Sequence, residues 1–228
     1  MESNESDWKE MLKSETIGNI GTIPIDTKNI ILFSGQSMAG KTASCLNICD
    51  TVIKGGNRVL YFDIDTKSIL ERAEPNFFKK FYNQNTDGYN SLFHYRKNLD
   101  NWIEDIKKVK PKLVIIDSLY VPFFNKYPEQ RNRAKMIRQF LTDFRKLIWL
   151  QNMGAVITVP VGRVVDEGVV KQVPLGGEGV KYMADIKVMI HFADKNNDAE
   201  TIGYRFFVVD RNKRHAFELG EGGRLDER

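Results

Sequence analysis

The chain has 228 residues, 42% of them hydrophobic, and a formal net charge of +4. That length and apolar content suffice for one well-buried domain, and the charge is too mild to argue by itself for a polyanionic partner. Two cysteines, Cys45 and Cys49, and three scattered histidines, His94, His191 and His215, supply no disulfide framework and no metal-ligand spacing; four apart on a helix, the cysteines share a face and read as small core residues.

The N-terminal MESNESDWKEMLKSE is polar and acidic, without the apolar core of a signal peptide. No run reaches the roughly 18 apolar residues of a membrane span, so an intracellular, cytoplasmic protein with no membrane partner is expected. Residues 1–27 read as an appendage, with a short helix from Asp7 to Ser14 and then the turn-rich IGNIGTIPIDTK. From residue 28 the pattern alternates. NIILF (Asn29–Phe33) predicts a buried strand, Thr42–Ile53 a helix closed by the Gly55–Asn57 turn, and RVLYFDID (Arg58–Asp65) a second strand ending in acids. Ile69–Tyr82 reads as a helix broken or kinked by Pro75, and Asn98–Lys108 as another. KLVIID (Lys112–Asp117) predicts a third strand. Arg131–Gln151 is a long amphipathic helix with Ile137, Phe140, Leu141, Phe144, Leu147 and Ile148 inward. GAVITV (Gly154–Val159) predicts a fourth strand, and 162–180 a loop rich in glycine and charge. Three more strand-like runs follow without helices between them: Asp185–Phe192, Thr201–Asp210 and Arg214–Leu219. Strands separated by helices make a parallel sheet and strands joined by short turns an antiparallel one. The expected fold is α/β, a mostly parallel twisted sheet flanked by helices with a C-terminal antiparallel extension. Its core spans 28–220, with a flexible tail at 221–228.

SGQSMAGKT (Ser34–Thr42) stands between the first strand of this core and its helix, and fits G-x-x-x-x-G-K-[ST]. Gly35 and Gly40 allow the backbone to turn and approach an anion closely. The amides of Gln36, Ser37, Met38 and Ala39 then face one concavity, and the helix opening at Lys41, Thr42 and Ala43 adds its positive end. Lys41 supplies a mobile charge for phosphates, and the Thr42 hydroxyl can ligate magnesium. Asp117, ending a neighbouring strand, reads as the carboxylate behind that metal. The cofactors implied are ATP and Mg2+. Hydrolysis needs a group to position or deprotonate water; Asp63 and Asp65, two apart at the end of the second strand, offer themselves.

The order of motifs resembles the RecA-type ATPase core, most of all the archaeal RadA and RadB recombinases and their phage relatives. The resemblance runs over roughly Asn29–Leu219. It rests on SGQSMAGKT, VLYFDIDTKSILER, KLVIIDS, AVITVPVGRV and PLGGEGVKYMADIKVMIHF. It implies a RecA-like P-loop ATPase core that binds ATP and acts in DNA recombination or repair, with single-stranded DNA or a recombinase as partner. Asp65 falls where the family has its catalytic glutamate, beside Lys41 in the catalytic role. Arg72 falls where an arginine lies against the adenine. Gly176 and Gly177 match the glycine pair after the mobile DNA-contacting loop, placed at about Arg163–Glu178 with Arg163 and Lys171 as its cations. There are departures. Asp65 is one methylene shorter than glutamate, roughly 1.5 Å, and Thr158–Val159–Pro160 replaces the family's glutamine-bearing segment. Both point to slow or conditional hydrolysis, and the missing N-terminal domain to an accessory paralogue.

Seven cations face two anions between Lys126 and Lys146. A charge run of this kind is ordinarily a solvated helix face; the alternative is a phosphate-tracking surface. At the turn DRNKRH, Arg211, Lys213 and Arg214 are candidates to reach a neighbouring subunit's nucleotide, as in RecA-type filaments and rings, or else form a cationic hairpin. The trans reading implies a homo-oligomer with a head-to-tail interface. A ring-forming motor of the replicative-helicase or KaiC type, and a non-hydrolysing nucleotide-switch scaffold, are the alternative functions.

Overall fold

The computed structural model describes residues 13–20, 23–64, 92–166, 168–192, 204–209, 213–219 and 225–227. A two-stranded hairpin, β1 (Thr16–Ile20) and β2 (Ile23–Asp26), precedes the main sheet. The sheet begins with β3 (Ile30–Gly35), followed by α1 (Lys41–Lys54), β4 (Val59–Asp63) and β5 (Phe93–Arg96). Then come α2 (Trp102–Val109), β6 (Leu113–Asp117), α3 (Tyr120–Lys126) and α4 (Gln130–Leu150). β7 (Gly154–Asp166), β8 (Val169–Pro174), α5 (Glu178–Met183), β9 (Ile186–Phe192), β10 (Tyr204–Val209), β11 (Lys213–Leu219) and β12 (Leu225–Glu227) complete the order.

Among the described residues, ten strands form one sheet, ordered β12-β11-β10-β9-β3-β7-β6-β4-β5, with β8 paired to β7 outside that path. The six from β9 to β5 are parallel, and β10, β11 and β12 extend them antiparallel. The α/β class and the parallel core with its antiparallel extension therefore match the expectation, and the architecture is compatible with Rossmann-like and P-loop folds. Parallel strands are covered on both faces, which is why β3, β4 and β6 are apolar along their length rather than alternating. One face packs Ile31, Phe33, Val59, Tyr61 and Ile115 against Cys45, Ile48, Cys49 and Val52 of α1. The other packs Leu32, Leu60, Phe62 and Ile116 against Ile106 of α2 and Ile137, Leu141, Phe144 and Ile148 of α4. Phe140 and Leu147, expected inward, pack at the margin of that second cluster.

Four departures from the expectation follow. The segment read as turn-rich is the β1–β2 hairpin, and Ile17, Ile20, Ile23 and Ile25 enter the core beside α1. Those isoleucines are spaced unevenly by glycine and proline, which hides the alternation. The loop expected at 162–180 is largely an antiparallel ribbon, because β7 runs on for 13 residues and pairs with β8 from Val161↔Pro174 to Asp166↔Val169. β5 and α3 were not anticipated. Leu225–Glu227 adds a strand on β11 where a flexible tail was expected. The expected helices over 7–14 and 69–82 lie outside the described residues. Among the described residues, no helix is long and apolar enough to cross a membrane.

Candidate functional site

The connection leaving β3 crosses on the α1 face, and that leaving β6 crosses on the α4 face. Between them stand the carboxyl ends of β3, β7 and β6, the usual ligand position in such sheets. The Gln36–Gly40 turn stands there. Ala39 N–H donates to Gln36 O at 3.2 Å, and Ala39 is fully buried as the turn's anchor. Met38 has a left-handed φ of 64° and Gly40 one of 103°, so the chain reverses within three residues before α1 begins. Only the second of the two motif glycines serves the turn. Gly35 keeps extended strand backbone, and its lack of a side chain has another cause: a Cβ there would lie 2.7 Å from the carbonyl oxygen of Ile190 on β9.

Lys41 folds back over the turn, its Nζ donating to Gly35 O at 2.9 Å and Gln36 O at 2.8 Å. The first turn of α1 carries no acidic residue, so nothing there offsets the positive end of the helix. A cation, turn amides and a helix start therefore share one mouth, the arrangement that holds phosphate. Thr42 Oγ1 donates to Asp117 Oδ2 at 2.7 Å, joining the turn to a strand two places away in the sheet.

Asp117 is 3% exposed and is met by two further hydroxyls. Thr158 Oγ1 donates to its Oδ1 at 2.5 Å and Tyr61 OH to its Oδ2 at 2.9 Å. Burial pushes the Tyr61 phenol well above its ordinary pKa, and the Asp117 charge adds to that. Burial, then the same carboxylate, does likewise to the Cys45 thiol; Cys49 is raised by burial and by Asp50. Both cysteines are free and buried, as expected of core residues. One strand over, Asp63 sits level with Asp117 in the β4–β6 register, is 2% exposed, and accepts from Tyr95 OH at 2.7 Å. Polar side chains thus meet in pairs across the sheet, Thr158 with Asp117 and Tyr95 with Asp63, Tyr95 reaching Asp63 from the level of Tyr61.

The structure brings together Gly35, Gln36, Ser37, Met38, Ala39, Gly40, Lys41, Thr42, Ala43 and Asp117. Asp65, Arg72 and Arg211 lie outside the described residues. Lys213 and Arg214 open β11 opposite Val209 and Val208. Since Val209 also pairs with Val188, itself level with Phe33, the start of β11 lies toward the amino ends of the parallel strands, away from the Gln36–Gly40 turn of the same chain. Arg163 and Lys171 stand exposed on the β7–β8 ribbon, beside Gln172 and Val164 respectively; they belong to paired strands and not to a loop. Gly176 (φ 106°) and Gly177 (φ 78°) make the left-handed junction from ribbon to α5. The sequence reading passed over Tyr61 and gave Thr158 no part of its own. Side chains two apart on a strand share a face, which sets Tyr61 on the face of Asp63 and is the signal that finds the first.

The chain matches no protein-family model and no curated protein.

Proposed function

We propose that this chain is an ATP-binding protein with a RecA-type core, acting with single-stranded DNA or a recombinase in DNA recombination or repair. The observation that carries the reading is the Thr42–Asp117 hydrogen bond. It links the two parts that any magnesium–nucleotide site needs, and the chain supplies them from segments 75 residues apart. The residues fit such a ligand. Lys41 and the turn amides would hold the phosphates. The Thr42 hydroxyl, its proton already directed to Asp117, keeps oxygen lone pairs for a divalent ion, and Asp117 would support that ion through water. Magnesium there supplies charge neutralisation of the phosphates. Among the described residues no group of three His, Cys, Asp or Glu could hold a metal by itself, so phosphate oxygens and water would complete the shell.

Asp65 is the proposed base and Arg72 the proposed adenine contact. The exposed Arg163 and Lys171 support DNA contact through the β7–β8 ribbon. The start of β11, remote from the Gln36–Gly40 turn of its own chain, supports a head-to-tail homo-oligomer in which Arg211, Lys213 or Arg214 reaches the neighbour's nucleotide. The deciding test is Lys41→Ala: ATP binding is expected to collapse, and unchanged binding overturns the assignment. ATP turnover measured with and without single-stranded DNA, alongside mass in solution, tests the DNA and oligomer parts.

A second reading, a nucleotide switch without hydrolysis, is favoured by Pro160. Level with Gly35 in the β3–β7 register, it offers no side-chain amide to sense a γ-phosphate. Turnover that stays absent with DNA, and is not raised by Asp65→Glu, selects this reading.

A further inference from the structure

Three hydroxyls from three elements converge on Asp117, and only one of them belongs to the P-loop. Tyr61 on β4 and Thr158 on β7 are wholly buried and cannot themselves touch a ligand. Buried hydroxyls need partners, but neighbouring carbonyls would serve. Instead both aim at one carboxylate, and at different oxygens of it. A donor on each oxygen, from strands on either side of β6, stops the carboxylate from turning about its Cβ–Cγ bond. A carboxylate offers about four lone-pair sites; the three hydroxyls leave one open, on Oδ1.

We propose that Tyr61 and Thr158 are positioning residues that hold Asp117 in the orientation that receives a divalent cation, an inference resting on the P-loop reading above. On this account they set the affinity for the metal and leave the affinity for the metal-free nucleotide alone. If the hydroxyls served only to satisfy a buried carboxylate, their loss would lower thermal stability and nothing else.

The two accounts separate in a calorimetric measurement of ATP affinity in Mg2+ and in EDTA, made on the full chain. Tyr61→Phe and Thr158→Val each remove one hydroxyl at nearly constant shape. Each is expected to shrink the Mg2+-dependent gain in ATP affinity by about tenfold, as loss of an outer-sphere partner commonly does, with affinity in EDTA unchanged. Thr158→Ser keeps the hydroxyl and is expected to match wild type, which assigns the effect to the bond and not to packing, even if Tyr61→Phe fails to fold. A Mg2+-dependent gain that survives in Thr158→Val, while Lys41→Ala abolishes ATP binding, overturns this inference and leaves the P-loop reading standing. Wild-type ATP affinity in Lys41→Ala overturns both.

Discussion

Gly35→Ala tests the finding that the first motif glycine answers to the neighbouring strand. The added Cβ would stand 2.7 Å from Ile190 O, with the Ala39 and Ile190 Cβ atoms at 3.4 Å. Ile190 is the register partner of Gly35 in the parallel β3–β9 pair, so the struck atom is backbone and cannot swing aside. Overpacking costs about 1–3 kcal/mol, and a rigid obstacle puts this case near the upper end, about 3 kcal/mol. For a chain of this size each kcal/mol moves the midpoint by about 2–4 °C, so Tm should fall by about 6–12 °C. Gly56→Ala is the control: Gly56 has a φ of 78° but nothing within 4 Å of a built Cβ, so only backbone strain acts, about 1 kcal/mol. Differential scanning calorimetry of the three proteins without nucleotide decides the matter. A Gly35→Ala midpoint within 2 °C of wild type, or above that of Gly56→Ala, would refute the close approach as the reason for glycine.

Three further outcomes are expected. Arg145 donates to both Asp185 oxygens, and Ile30 N–H donates to Asp185 Oδ2 at 2.7 Å. Burial alone would raise the Asp185 carboxyl, but these bonds outweigh it and hold it below its ordinary pKa. Because the folded pKa is the lower one, the stabilisation is complete above the unfolded value, near pH 4, and is lost as pH falls through the folded value. Asp185→Asn should therefore cost about 1–2 kcal/mol at neutral pH, solvent screening included, and the gap to wild type in urea melts should close below pH 4. Cys45 and Cys49 are fully buried with raised thiol pKa values, so iodoacetamide should label neither in the native protein at pH 8 and both in denaturant, read by mass spectrometry. If the ribbon tracks phosphate, Arg163→Ala and Lys171→Ala should each reduce the salt slope of single-stranded DNA binding by about 0.7, measured by fluorescence anisotropy.

The Gln36–Gly40 turn and the Asp117 strand were legible because each has a clear context: an apolar run buried on both faces, then a turn, then a helix. β1–β2 was hidden because four isoleucines at uneven spacing do not make a period. The β7–β8 ribbon was hidden differently. VPVGRVVD and VVKQVP flank Glu167–Gly168, a hairpin signal, but valines exposed to solvent do not announce themselves as strand. The clamp on Asp117 needed three dimensions, since Thr42, Tyr61 and Thr158 meet only when α1, β4 and β7 are stacked around β6. The packing reason for glycine at position 35, the Ile190 carbonyl on β9, was not legible, because no motif records what lies on the next strand.

Among the described residues the sheet's path has little strands at both margins, β5 with four residues and β12 with three. Stubs of that length expose too few unpaired amides and carbonyls to template another chain. β8, six residues long and paired among these residues only with β7, is the longer open edge, so a strand added from another chain would meet more unpaired backbone there than at either margin.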